Sequence, residues 1–174
     1  SNDLIESIEA CKEATERIQI IMENTLDFAR KSHHESDEFS ILELYNRAIV
    51  LLEGSAKKKN IEILLNHGNN LPLLNIDKNK IIQVIVNLIN NAIDASYNNS
   101  KIDVNINCEE NFVVFSVQDY GIGIKDEDKP KIYNDFYTNK ETGTGLGLSV
   151  CRSILKEFNA ELSFESKEEK GSRF

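Results

Sequence analysis

The sequence is short of the features that mark several common classes of protein. Its three cysteines, Cys11, Cys108 and Cys151, stand far apart and form no Cys-x-x-Cys pair. Neither a disulfide framework nor a zinc site is expected, and a reducing, cytoplasmic setting fits. No stretch stays apolar for the length a bilayer demands, and no signal peptide is expected. Both ends read as cuts within a longer parent, which leaves room for a membrane anchor elsewhere. Positive charge is in deficit, with 20 Lys and Arg against 29 Asp and Glu and a net charge of −9. That balance excludes a general nucleic-acid-binding surface, and the run Lys57-Lys58-Lys59 reads as a solvated helix end. There is no Gly-Lys-Ser/Thr, hence no P-loop, and no internal repeat.

What is present suits one full domain and a small accessory element. The chain has 174 residues, of which 40% are hydrophobic and 28% charged, enough for a buried core under a solvated surface. Residues 3–32 carry a seam (Leu4, Ile8, Cys11, Thr15, Ile18, Met22, Thr25, Ala29) at alternating steps of four and three. The spacing predicts one long helix that needs partner helices, in a dimeric bundle. The charged stretch 31–38 follows it as a linker. Beyond that, helix and strand signals alternate. Ile41–Ala56 reads as a helix ending near Gly54 or the lysines, and Ile61–Leu65 as a short strand. Asp77 is a good N-cap for a helix to about Ser96. Lys101–Asn107, with Ile102, Val104 and Ile106 inward, and Phe112–Val117 predict a hairpin around Glu109-Glu110-Asn111. A helix from Ser149 to about Phe158, a strand over Glu161–Glu165 and the start of another at Gly171 complete the reading. The fold class is α+β, a two-layer sandwich of a mixed sheet with helices on one face.

Three polar motifs interrupt this framework. Gly143, Gly145 and Gly147 alternate with Thr144 and Leu146 just before a helix. Alternate glycines turn backbone N–H groups toward an anion, and the helix start adds unpaired N–H groups and a positive dipole end. Upstream, Asn87 and Asn91 lie one turn apart on one face of the helix from Asp77. Asparagine is a middling helix former, so several on one helix call for a reason, and an amide oxygen suits Mg²⁺. Between them, Asp119-Tyr-Gly-Ile-Gly123 follows a strand, with a carboxylate able to accept from an amino group. Each motif alone is also compatible with an ordinary turn or a solvated stripe.

In this order the three motifs resemble the ATP-binding domain of two-component sensor histidine kinases, in the gyrase/Hsp90/histidine kinase/MutL superfamily. Asn87–Ala95 is similar to the N box and Asp119-x-Gly121-x-Gly123 to the first glycine box. Phe136–Lys140 is similar to the F box and Gly143–Leu148 to the second glycine box. The resemblance implies a Bergerat-type ATP-binding fold over residues 36–174, truncated at its C-terminus. Residues 1–35 would be the second helix of a dimerisation and phosphotransfer bundle plus linker. It further implies that Asn91 ligates Mg²⁺, with Asn87 close to the phosphates. Asp119 would accept from the adenine amino group, with Gly121 and Gly123 opening the base pocket. Gly143, Gly145, Gly147 and Leu148 would wrap the phosphates, and Lys140 would add positive charge near the terminal one. The stretch 134–147 would order around phosphate as a lid.

The sequence also departs from that pattern. Asp94 stands three residues after Asn91, where family members often carry a basic residue, and Tyr133 stands where the F box usually begins with Phe. His33, His34 and His67 lack the setting of a phosphoacceptor, so the accepting histidine is expected on another helix of the same parent. The function implied is a protein-histidine kinase. It would use ATP and Mg²⁺, pass the phosphoryl group on to a response-regulator aspartate, and dimerise through the first helix. Two alternatives are an ATPase of the gyrase or MutL type and a degenerate nucleotide-binding scaffold. The former uses a glutamate base four residues before the metal-binding Asn, where this chain has Asn87.

Overall fold

The computed structural model describes residues 38–110, 112–140 and 143–174. The helix expected over 3–32, the histidines at 33 and 34 and the boundary at 35/36 lie outside the described residues. Seven strands and three helices are described: β1 (Glu38–Ser40), α1 (Ile41–Lys58), β2 (Glu62–His67), β3 (Leu73–Asn75), α2 (Lys78–Ala95), β4 (Lys101–Glu109), β5 (Phe112–Asp119), α3 (Gly147–Glu157), β6 (Glu165–Lys167) and β7 (Gly171–Arg173).

Five strands form one sheet in the order β2-β4-β5-β7-β6, and β1 pairs with β3 in a two-stranded ribbon. β2 runs parallel to β4, while the β4–β5, β5–β7 and β6–β7 pairs are antiparallel. The sheet is therefore mixed, as expected. Along β4 the side chains alternate: Ile102, Val104 and Ile106 are fully buried and join Val117 beneath the helices. That period of two sets one sheet face against Leu44, Ala48 and Leu52 of α1, Ile85, Ile89 and Ile93 of α2, and Cys151 and Ile154 of α3. The result is two layers around one core, α+β in class.

The ends of α2 explain its placement. Asp77 caps it by accepting from the backbone N–H groups of Asn79 at 2.9 Å and Lys80 at 3.2 Å, which satisfies two of the four unpaired donors. At the other end Lys59 donates from Nζ to the carbonyls of Ile93 (2.9 Å), Asp94 (2.8 Å) and Ser96 (3.2 Å). A cation at a helix C-terminus is stabilised by the dipole and by the free carbonyls. The run Lys57-Lys58-Lys59 is thus only partly a solvated helix end: Lys57 and Lys58 are exposed, whereas Lys59 is half-buried over a different helix.

The strand expected over Glu161–Glu165 is corrected to Glu165–Lys167. The register with β7 sets Glu165 opposite Arg173, Ser166 opposite Ser172 and Lys167 opposite Gly171. Phe164 reaches the end of that ladder and stacks on Phe174, with ring centroids 5.6 Å apart. Leu162 is held instead by its carbonyl, which accepts from the Tyr133 hydroxyl at 3.2 Å. Two further adjustments are small. α1 runs on through Gly54 to Lys58, and α3 begins at Gly147 rather than Ser149.

Candidate functional site

The polar face of α2 is the floor of the site. The helix buries Ile81, Val84, Ile85, Leu88, Ile89, Ala92 and Ile93, and a period of 3.6 leaves Asn87 and Asn91 half-buried along its other edge. Gly147, the first residue of α3, meets that edge. A Cβ on Gly147 would lie 3.9 Å from Asn87 Cγ, 3.9 Å from Asn91 Nδ2 and 4.0 Å from Asn87 Oδ1. The start of α3 therefore faces both amides across a gap that a single side-chain carbon would fill, with its first N–H groups lacking helical partners. Leu148 turns the other way and packs on the core. One turn further along, α3 buries Cys151, whose thiol is pushed up to about 12 by desolvation against a hydrogen bond from Asn87. A thiol so protonated is inert and serves packing.

The Asp119 loop joins the same helix at its C-terminal end. Asp119 is 2% exposed at the end of β5, and its Oδ1 accepts from the Gly121 N–H at 2.9 Å. Burial raises its carboxyl above the ordinary aspartate range, while backbone hydrogen bonds from Gly121 and Ser172 pull the other way. Gly121 has no room for a side chain: a Cβ would lie 1.9 Å from the Ala95 carbonyl oxygen. The neighbouring Ile122 N–H donates to that oxygen at 3.0 Å. Gly123, at φ 66°, lies against the Lys167 carbonyl. The loop is thus locked to the last residue of α2, one turn beyond Asn91.

The third piece approaches from the segment before α3. Gly145 takes φ 70° with its α-carbon against the backbone of Phe136, a conformation and a closeness that only glycine allows. Gly143 packs on Thr138. Tyr137 and Asn139 both donate to the Asp128 carboxylate, the latter at 2.8 Å, which anchors the start of the segment. Lys140 then reaches α2 and donates from Nζ to Asn91 Oδ1 at 2.9 Å and to Asp94 Oδ2 at 2.7 Å. Both partners of that ion pair are about two-fifths exposed, at 39% and 41%, so its stabilising effect is small, roughly 0–1 kcal/mol. Its placement matters more: a cation rests on the amide expected to bind metal.

All ten residues expected at the site are accounted for. Lys140 bonds to Asn91, Gly147 faces Asn87 and Asn91, Asp119, Gly121 and Gly123 meet the end of the same helix, Gly143 and Gly145 shape the approach, and Leu148 packs against the core. Sequence reasoning missed Asp94 as the partner of Lys140 and Lys59 as the cap of α2, because the residues of each pair lie far apart along the chain.

Residues 76–174 match the sequence model of the family described as histidine kinase-, DNA gyrase B-, and HSP90-like ATPase. The chain belongs to that family. It carries an ATP-binding catalytic domain of the histidine kinase type. The catalytic domain of histidine kinase ThkA is 36% identical, with a TM-score of 0.71 over 79% of this chain and 90% of that one. ThkA solved in complex with the response regulator protein TrrA is 30% identical, with a TM-score of 0.78 over 98% of this chain and 49% of that one. Sporulation kinase E of Bacillus subtilis (strain 168) is 31% identical over 159 residues, which cover 91% of this chain and 22% of the relative. The chain thus spans about a fifth of that relative's length. Among the described residues no helix is long and apolar enough to cross a membrane.

Proposed function

We propose that this chain is the catalytic part of a sensor histidine kinase, which binds ATP with Mg²⁺ and donates the γ-phosphoryl group to a histidine on a separate helix. One observation carries the reading: Gly147, Lys140 and the Asp119–Gly121 loop all meet one helix within the span Asn87–Ala95. A site of this breadth suits a ligand with a base at one end and phosphates at the other. Asp119 is the acceptor for the adenine amino group. Contrary to the expectation from sequence, Gly121 and Gly123 do not open space beside it but let the loop backbone close against the Ala95 and Lys167 carbonyls and so fix the carboxylate. The N–H groups at Gly147 and beyond receive phosphate oxygens.

The donor set suits Mg²⁺. Asn91 Oδ1 already holds a cationic group, the Lys140 ammonium, and hard oxygen donors beside a triphosphate are what this ion takes. Among the described residues no group of three or more His, Cys, Asp or Glu forms a dedicated metal cage, which fits an ion carried in by its nucleotide. Bound there, Mg²⁺ would neutralise charge on the phosphates. The protein's own part is to hold the γ-phosphoryl group in line and keep its charge compensated through the α3 N-terminus and Lys140. The attacking imidazole comes from the partner helix, so no nucleophile is required in this chain. Position 87 is an amide with no basic character, which favours transfer to histidine over activation of water.

The same proposal extends to the whole protein. A response regulator is its next phosphoryl acceptor, residues 1–35 are the second helix of the bundle with its linker, and the parent is a homodimer with its kinase region in the cytoplasm. Radiolabelled ATP offered to this chain together with the parent's histidine-bearing helix tests it. Label should appear on that helix, fall by at least about tenfold with Asn91→Ala and persist with Asn98→Ala. Fast steady ATP turnover without any acceptor, or equal loss in both variants, would contradict it.

A further inference from the structure

Asn91 and Asp94 are three residues apart on α2 and therefore neighbours on one helical face. Their oxygens converge on a single cationic centre: Lys140 Nζ is 2.9 Å from Asn91 Oδ1 and 2.7 Å from Asp94 Oδ2. Lys140 arrives from a segment 46 residues away, so the two oxygens bind a cation that the helix itself does not supply. A carboxylate in that place is at odds with a triphosphate unless a cation lies between them. Two cations are on hand once nucleotide is bound, the metal and the Lys140 ammonium, and both are drawn to the same pair of oxygens.

We infer that Asn91 and Asp94 together form a two-oxygen seat for the divalent cation of the bound nucleotide, and that Lys140 fills this seat until the metal takes it. The inference rests on the reading of Asn91 as a metal-binding residue and adds Asp94 as the second oxygen donor, to the ion or to a water it keeps. When the metal arrives, Lys140 leaves Asn91 and Asp94 and its charge becomes available to the phosphates. An acidic residue at position 94 then has a role: it strengthens the hold on the metal and parks the lysine between nucleotides. The ammonium is a competitor for the seat, so its removal should ease metal binding.

Mn²⁺ with ADP tests the seat without turnover, read by water-proton relaxation on the full chain. Lys140→Met should lower the Mn²⁺ concentration needed for half-saturation. Asp94→Ala added to Lys140→Met should raise it by about tenfold over Lys140→Met alone, the scale on which lost donors around a bound metal act. Using the Lys140→Met background keeps a freed lysine from masking the effect. Asp94 is exposed, so its replacement leaves the core untouched. If Asn91→Ala raises the Mn²⁺ requirement while Asp94→Ala does not, the seat is overturned and the Asn91 reading stands. If Asn91→Ala also leaves it unchanged, both fail. No change on Lys140→Met overturns the claim that the lysine fills the seat.

Discussion

In the proposed function Asp119 is a single residue whose place as a ligand acceptor comes at a cost to the fold. Its carboxyl is buried and its pKa raised by desolvation. Ionised Asp119 therefore subtracts from stability at neutral pH. As pH falls through the raised folded value toward the unfolded value near 3.9, the folded state takes up a proton first and recovers that free energy. Nucleotide binding moves in the opposite sense, because the protonated acid is a poorer acceptor, so affinity is lost across the same window. Asp119→Asn should hold or raise the melting temperature of the nucleotide-free chain. It should also weaken ADP binding by roughly 10- to 100-fold, because the amide oxygen stays on the Gly121 N–H and its NH₂ then faces the adenine amino group. Calorimetric titration and a thermal melt check both halves. The aspartate was legible in the sequence from its place before two glycines. The pairing of Asp94 with Lys140 was not, because an ion pair 46 residues apart leaves no periodicity to read.

At the scale of elements, legibility followed length and regularity. α1 and α2 are each 18 residues long with one apolar face, and both were readable, as was the β4–β5 hairpin with its alternating side chains. β1 and β3 escaped notice because each has three residues and exists only through the other, in the register Phe39↔Leu74. The strand expected over 161–165 lies instead at Glu165–Lys167, because its place is set by the register with β7, Glu165 opposite Arg173, and a pairing register is not written in local strand propensity. Gly54 was read as a possible helix end, yet α1 continues through it, and a Cβ there would meet nothing within 4 Å. Gly54→Ala should therefore stabilise the chain by about 0.5–1 kcal/mol in urea unfolding. Lys59→Met should do the reverse. It keeps the aliphatic stem but strips three carbonyls of their donor, and a loss of roughly 1–2 kcal/mol is expected by the same measurement. Because those carbonyls end the helix that bears Asn91, the same variant should also weaken nucleotide binding modestly.

Across the whole molecule, the core and the site share one helix. The buried face of α2 is fixed between α1, α3 and the sheet, while its polar edge receives the three segments that carry the sequence motifs. A rigid helix at the centre lets separated pieces of chain be placed precisely against one ligand, as the proposed phosphoryl transfer would require. This explains why the order of motifs was informative although each alone was weak: a glycine pair or an Asn pair is common, but their meeting on one helix is a property of the fold. The most direct test is to titrate the isotopically labelled chain with Mg²⁺ and a non-hydrolysable ATP analogue, and to follow backbone amide resonances. The account predicts that amides in Asn87–Ala95, Asp119–Gly123 and Gly143–Leu148 shift together along one saturation curve. Shifts confined to one segment, or segments saturating at different concentrations, would contradict a single shared site.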